Sequence, residues 1–135
     1  MDALQLANSL LAQRGRLVDT LNPALGLHPL RDAVRELFAA AARHEPPEAA
    51  HVALVNGLAR APSLAWRSEA APRLGAEESA AEAARTAIEL LAGGRVRMCG
   101  NPRCVQFFLA EGRREFCSAA CSNRTRVARH NARHR

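Results

Sequence analysis

Four cysteines lie in the last third of this 135-residue chain, and the rest of the sequence contains none. They form two pairs, Cys99-x4-Cys104 and Cys117-x3-Cys121, with twelve residues between the pairs. Four paired cysteines suit either disulfide bonds in an oxidising compartment or thiolate ligands of a metal ion in a reducing one. The first residues carry Asp2 and lack both a basic stretch and a long apolar run, so we expect no signal peptide and a cytoplasmic location. A reducing cytoplasm favours one zinc ion over disulfides.

The residues within each cysteine pair fit a single tetrahedral zinc site. A Gly-Asn-Pro sequence lies inside the first pair, and these residue types build the tight turn that brings two sulfurs together. Ser118 can cap a helix that begins after Cys117, which places Cys117 and Cys121 on one face of its first turn. Four thiolates leave no open coordination position, so we predict a structural rather than a catalytic metal. Backbone amides of the turn are expected to donate hydrogen bonds to the thiolates.

The twelve residues between the pairs have the pattern of a small β-hairpin. Residues 105–109 have strand character, a Glu-Gly turn follows, and residues 113–116 would return antiparallel to deliver the second pair. Phe107 or Phe108, together with Phe116, would form a small apolar cluster beside the metal. The predicted architecture is a knuckle (the turn of residues 99–104), a hairpin and a helix around one zinc ion, similar to a treble-clef finger.

Charge divides the chain into two regions. Residues 1–94 carry nine arginines against eleven acidic residues, a net charge of −2, whereas residues 95–135 carry ten arginines against two acidic residues, a net charge of +8. A basic patch confined to one region is the electrostatic footprint of a polyanion partner. We therefore predict a helical domain over 1–94 and a zinc finger with a basic helix over 95–135.

The helix that follows Cys121 is the predicted DNA-reading element. Arginine suits both phosphates and the edge of guanine. Five residues of this helix are predicted to contact DNA: Asn123, Arg124, Arg126, Arg129 and Arg133. Val127 and Ala128 would turn inward. Arg124 has a second interpretation, in which it anchors the helix to the knuckle by bonding backbone carbonyls.

Apolar periodicity predicts a mainly helical first region. Helices are expected over residues 4–11, 30–44, 48–61 and 76–92, with a turn-rich connection over residues 15–29. The alternating sequence around Trp66 could be one arm of a further small hairpin. Asn8 lies on an apolar helix face and needs a hydrogen-bond partner, for which a local contact is preferred over a ligand.

The same region contains no phosphate-binding loop, no nucleophile elbow and no pair of catalytic carboxylates, so we expect no enzyme. No window reaches the roughly 18 to 20 apolar residues of a membrane span. A single finger offers a small DNA interface, so high specificity would call for a homodimer. Residues 76–92 could supply the dimer surface, although core packing is the preferred use. Whether the helices bind a small-molecule effector stays open.

Two stretches of each region resemble known bacterial families. Residues 117–124, Cys-Ser-Ala-Ala-Cys-Ser-Asn-Arg, resemble the CGNR zinc finger with Ser122 at the glycine position, and residues 97–104 are similar to its first half. Residues 6–10 and 30–35 resemble the ABATE domain that precedes this finger. The resemblance implies a stress-induced transcription regulator.

The leading hypothesis is a zinc-dependent DNA-binding regulator. The alternative is a zinc-stabilised module for RNA or an acidic protein, since a basic helix attracts any polyanion.

Overall fold

The computed structural model describes residues 1–60 and 76–134. In chain order the elements are α1 (Ala3–Ala7), β1 (Leu10–Gln13), β2 (Arg16–Asp19), a 3₁₀ turn (Pro23–Leu25), α2 (His28–Arg43), α3 (Ala49–Leu58), α4 (Ala76–Gly93), β3 (Val96–Met98), β4 (Phe107–Leu109) and α5 (Ala119–Arg133). The strands form two separate antiparallel pairs, β1–β2 and β3–β4. The predicted fold, mainly helical with small hairpins, is confirmed. The hairpin expected around Trp66 lies outside the described residues.

Helix α2 is the centre of the packing, as its regular apolar stripe predicts. It buries Leu30, Val34, Leu37 and Phe38, and it packs against α1, α3, α4 and β3. The helix ends at His44, whose backbone is left-handed and donates to carbonyls of the last turn. These contacts make α2 the element on which both sequence regions meet.

The predicted helix over residues 4–11 is wrong beyond Ala7. Asp2 and Gln5 form a capping box that starts α1, and the helix ends at Asn8. The chain then forms the β1–β2 hairpin, in which Arg14 and Gly15 both have positive φ angles, as a tight hairpin turn requires. Apolar residues at spacings of three and four fit a short helix and a half-buried strand almost equally well, so periodicity alone misassigned this segment.

Helices α3 and α4 form where they were predicted, although α3 ends at Leu58, three residues early, and only part of each apolar face is buried. In α3, Val55 is buried whereas Val52 is 36% exposed. In α4, alanines at 81, 83, 84 and 87 form the buried side, and Ile88 is 39% exposed. Both exposed residues line an apolar cavity of about 310 Å³ between α2, α3 and α4. Alanine lets α4 approach its neighbours closely, which leaves the larger side chains at the rim.

The second hairpin pairs differently from the sequence prediction. Strand β4 was expected to pair with residues 113–116, but it pairs with β3 on the other side of the knuckle, with Met98 opposite Phe107. Residues 113–116 form no strand. Val96 and Phe107 are both buried in the same core as α2, and this burial decides the pairing. The knuckle is therefore the loop of the β3–β4 hairpin.

The helices of the described residues include none long and apolar enough to cross a membrane.

Candidate metal centre and basic helix

The four cysteine sulfurs converge on one point of the structure. All four lie within 4.8 Å of one another, with 3.7 Å between Cys104 and Cys117 and 3.6 Å between Cys117 and Cys121. None of them forms a disulfide. Four thiolates placed about 2.3 Å from a tetrahedral zinc ion are about 3.8 Å apart. The donor set and its dimensions therefore fit one zinc ion with a closed coordination shell.

Each ligand pair is positioned by the end of a regular element. Cys99 follows β3, and its backbone N–H extends the hairpin ladder by donating to the carbonyl of Gln106 at 3.0 Å. Cys117 precedes α5 and Cys121 lies in its first turn. As predicted, Ser118 caps this helix, and its hydroxyl accepts from the Cys121 N–H at 3.2 Å. The helix start and the hairpin loop thus hold the two halves of the site.

Gly100 allows the two halves to approach closely. Its N–H donates to the carbonyl of Glu115 at 2.8 Å. A Cβ atom on Gly100 would lie 2.9 Å from that same carbonyl oxygen and 3.4 Å from the ring of Phe116. A backbone carbonyl cannot retreat as a flexible side chain can, so this position requires glycine for steric reasons.

Arg114 provides the anchoring role that one interpretation gave to Arg124. Its guanidinium lies 5.0 Å over the buried ring of Phe108 and donates to the carbonyls of Phe116 and Cys117. Within the described residues the side chain of Arg124 makes no hydrogen bond and is exposed. The sequence contains no signal that distinguishes Arg114 for this role, because the contact depends on where the chain passes after β4.

Three N–H groups donate to the ligand sulfurs. They are Gln106 N to Cys104 at 3.5 Å, Cys117 N to Cys99 at 3.4 Å, and Asn101 Nδ2 to Cys121 at 3.6 Å. The first two are backbone amides, although they lie outside the turn in which such donors were expected. Asn101 is buried, and its Oδ1 also accepts from the N–H of Arg103 at 3.1 Å. Sequence reasoning assigned Asn101 to the turn but missed its bond to a ligand.

Burial and hydrogen bonds shift the pKa values of the thiols in opposite directions. Burial raises the pKa of the Cys104 thiol and that of the Cys117 thiol. Burial acts in the same direction on Cys121, but hydrogen bonds, first of all from Asn101, lower the pKa of this thiol to about 7. Because a metal ion deprotonates the thiols that bind it, a cation between the sulfurs offsets the cost of burying these groups as thiolates.

Asn101→Ala is expected to lower zinc affinity about tenfold or more, since residues that orient metal ligands typically have effects of about 10- to 100-fold. The substitution removes the donor to Cys121 and the acceptor that shapes the knuckle. Competition with a chromophoric chelator measures the change. Asn123→Ala, on the exposed surface of α5, is the matched control. An unchanged affinity in Asn101→Ala would contradict this role.

Phe107 faces away from the metal and into the helical core. Its ring meets Phe38 edge to face, with 5.5 Å between the centroids, and the guanidinium of Arg35 lies 5.0 Å over it. The cluster expected beside the metal therefore excludes Phe107. Phe108 points the other way on β4, where it packs under Arg114.

Asn8 joins the helical region to β4 as an additional strand would. Its Nδ2 donates to the carbonyl of Phe107 at 2.9 Å, and its Oδ1 accepts from the Phe107 N–H at 2.8 Å. Gln106 returns the contact, since its Nε2 donates to the carbonyl of Leu10 at 2.6 Å. The partner of Asn8 is thus neither local nor a ligand, but a backbone 99 residues away.

Arg35 adds a second bridge between the two regions. It donates to the carbonyl of Ala7 at 2.7 Å and to the carbonyl of Val105 at 2.9 Å. Its pKa is lowered, chiefly by burial. We call the contacts of Asn8 and Arg35 with residues 105–107 the junction. Through the junction, β4 belongs to the same packed unit as α1 and α2.

Three of the arginines predicted to contact DNA line one cavity beside α5. This cavity has a volume of about 370 Å³ and is lined by Phe116, Ser122, Arg126, Arg129, His130 and Arg133. In the described part of the chain, none of its three arginines forms an ion pair with a carboxylate. The Asn123 Oδ1 accepts from Arg126 Nη2 at 2.8 Å, which orients that guanidinium.

The inward face of α5 differs from the prediction. Val127, expected inside, is 55% exposed, and Ala128 is exposed as well. The buried residues are Cys121 and Thr125, and the Thr125 hydroxyl donates to the Cys121 carbonyl at 2.9 Å. The metal ligand Cys121 fixes which side of the first turn faces the finger. The helix is therefore rotated about its axis relative to the predicted orientation, in which Val127 and Ala128 face inward.

Two family models match the chain. One, described as "CGNR zinc finger", matches residues 95–134, and the other, ABATE, described as "Putative stress-induced transcription regulator", matches residues 3–94. No curated protein and no solved structure shows a significant match. Together with the geometry of the four sulfurs, the match to the finger identifies one structural zinc ion as the cofactor.

Proposed function

Because the chain belongs to the ABATE family and carries a CGNR zinc finger, we propose that it is a zinc-dependent DNA-binding protein that regulates transcription in the bacterial cytoplasm. Zinc holds the start of α5, and the exposed side of that helix contacts DNA. Asn123 and Arg124 would contribute specific polar contacts. Arg126, Arg129 and Arg133 would contact mainly phosphates.

One observation carries this proposal: the arginines of α5 have no acidic partner among the described residues. The positive charges of residues 95–135, a net charge of +8, repel one another, and binding of a polyanion would relieve this repulsion. The exposed Val127 on the same helix is suited to apolar contact with a thymine methyl group. The metal ion fixes the start of α5, and the unpaired arginine side chains of this helix can bind the phosphates that position a helix on DNA.

We expect the zinc-loaded protein to bind labelled duplexes with an affinity that falls with salt. Four or five phosphate contacts predict a log–log slope of about −4, and Arg129→Gln should make it shallower by about 1. Arg43→Gln, at the exposed end of α2, removes an equal charge outside the interface and should leave the slope unchanged. Fluorescence anisotropy on a mixed set of duplexes at several salt concentrations measures both slopes.

Cys117→Ser provides the test of zinc dependence, because it removes one ligand and should abolish sequence-dependent binding. Identical weak binding by the wild type and this variant would refute the proposal. Tight binding to RNA or to an acidic protein, with weak and uniform binding to DNA, would replace it with the interaction-module alternative.

Because one helix makes a small interface, we also expect two copies of the chain on each high-affinity site, and the binding stoichiometry measures this number.

A further inference from the structure

We infer that the cavity beside α5 holds one unpaired nucleotide of the DNA, with the base against Phe116 and the phosphate on the arginines. The cavity is the one lined by Phe116, Ser122 and the cationic residues of α5, and we call it the Phe116 cavity. The inference rests on the proposed DNA binding and specifies which form of DNA the site accepts.

One wall of the Phe116 cavity is suited to a phosphate group. Three arginines and His130 line it, and among the described residues no acidic side chain does. Arginine presents several donors in a planar fork that matches phosphate oxygens. Arg126 is already oriented by its bond to Asn123. The hydroxyl of Ser122 adds a group that can donate to the same anion.

A second part of the lining is the aromatic side chain of Phe116. Phe38, Phe107 and Phe108 are buried, whereas Phe116 is half-buried and lines the cavity. A Cβ atom on Gly100 would lie 3.4 Å from the Phe116 ring, so the ring lies beside this glycine, and the Phe116 backbone carbonyl accepts from Arg114 at 2.9 Å. An aromatic ring that lines a cavity offers a surface on which a planar group can stack.

The combination distinguishes an unpaired nucleotide from a duplex backbone. Bases inside a duplex stack on one another and offer no face to a side chain, so an intact helix would use the arginines but not the ring. An unstacked nucleotide presents a base face and a phosphate together, which is the pairing that proteins of single-stranded DNA exploit. A volume of about 370 Å³ lies at the small end of the range for small-molecule sites, which suits a single nucleotide.

The first experiment uses the zinc-loaded wild-type chain and follows the ring protons of its phenylalanines by NMR. Titration with deoxyadenosine monophosphate should shift the Phe116 ring signals, because a stacked base adds a ring current, while the buried Phe108 stays unchanged. Inorganic phosphate should leave the Phe116 ring signals in place. No shift with the nucleotide, or an equal shift with phosphate, would overturn the inference in favour of a simple anion site.

The second experiment compares a duplex that contains one unpaired adenine with its fully paired counterpart. The wild type should bind the unpaired form about tenfold more tightly, which corresponds to about 1.4 kcal/mol. Phe116→Leu should reduce this ratio to about one, and Phe116→Tyr, which keeps the ring, should retain it. Zinc content is measured for each variant. If Phe116→Leu fails to bind zinc, the NMR titration of the wild type decides.

The outcomes separate the two proposals. Equal wild-type affinity for both duplexes would overturn the nucleotide cavity while DNA binding stands. Absence of binding to any form of DNA would overturn both.

Discussion

Removal of the zinc ion is expected to destabilise the helical region by about 3 kcal/mol, although every metal ligand lies outside it. The reason is the shared core: Phe107 packs on Phe38, and its backbone is bonded to Asn8. Without the metal the loop of residues 99–104 and the start of α5 lose the bonds that fix them, so the β3–β4 hairpin that carries this loop should loosen in the core. Loss of a buried phenylalanine from a core costs about 3 to 5 kcal/mol, which sets the scale.

Amide hydrogen exchange measures this effect element by element. With a strong chelator present, amides of α2 should exchange faster along with those of β3 and β4, and re-addition of zinc should restore protection in all of them. Fast exchange confined to residues 96–134, with α2 fully protected, would show that the finger folds and unfolds by itself and that the junction transmits nothing.

Asn8→Ala is expected to lower the free energy of unfolding by about 2 to 4 kcal/mol. The substitution leaves both the N–H and the carbonyl of Phe107 without their partner, and an unsatisfied buried polar group costs about 1 to 3 kcal/mol. Asn8→Asp keeps the acceptor for the Phe107 N–H but sets a carboxylate oxygen against the Phe107 carbonyl oxygen, so its loss should be at least as large. Urea denaturation of the zinc-loaded chain measures the three free energies.

Asn22→Ala is the matched control for Asn8→Ala. The Asn22 side chain accepts from the N–H of Ala24 at the exposed start of the 3₁₀ turn, so its removal should cost about 1 kcal/mol or less. Equal losses in the two variants would mean that Asn8 acts only as a local helix end and that its long-range bonds contribute nothing.

The metal site was predictable because its information is local. Cysteines are absent from the rest of the chain, and each pair is closed by a turn or a cap within five residues, as Ser118 illustrates. Helix α2 was equally accessible, since sixteen residues of regular apolar spacing outweigh any competing pattern.

The errors arose where the outcome depended on distant partners. Strand β4 could pair with either flank, and the choice of β3 follows from burying Val96 on α2, which no local pattern in the finger reveals. In the sequence, Asn8 is only a polar residue on a predicted helix, and Asn101 is only a polar residue in a turn. Their actual partners, the Phe107 backbone and the Cys121 sulfur, become visible only when the chain is folded.

The span of 99 residues between Asn8 and Phe107 also bears on synthesis of the chain. Ribosomes add residues from the N-terminus, so α1 and α2 emerge long before the strand that completes their core. At about 5 to 20 residues per second, several seconds pass before Phe107 is available. During that interval the apolar face of α2 lacks one of its partners, and the nascent helices are exposed to aggregation. Contacts this distant in sequence also form slowly. Synthesis of residues 96–121, followed by metal capture, would therefore complete the fold.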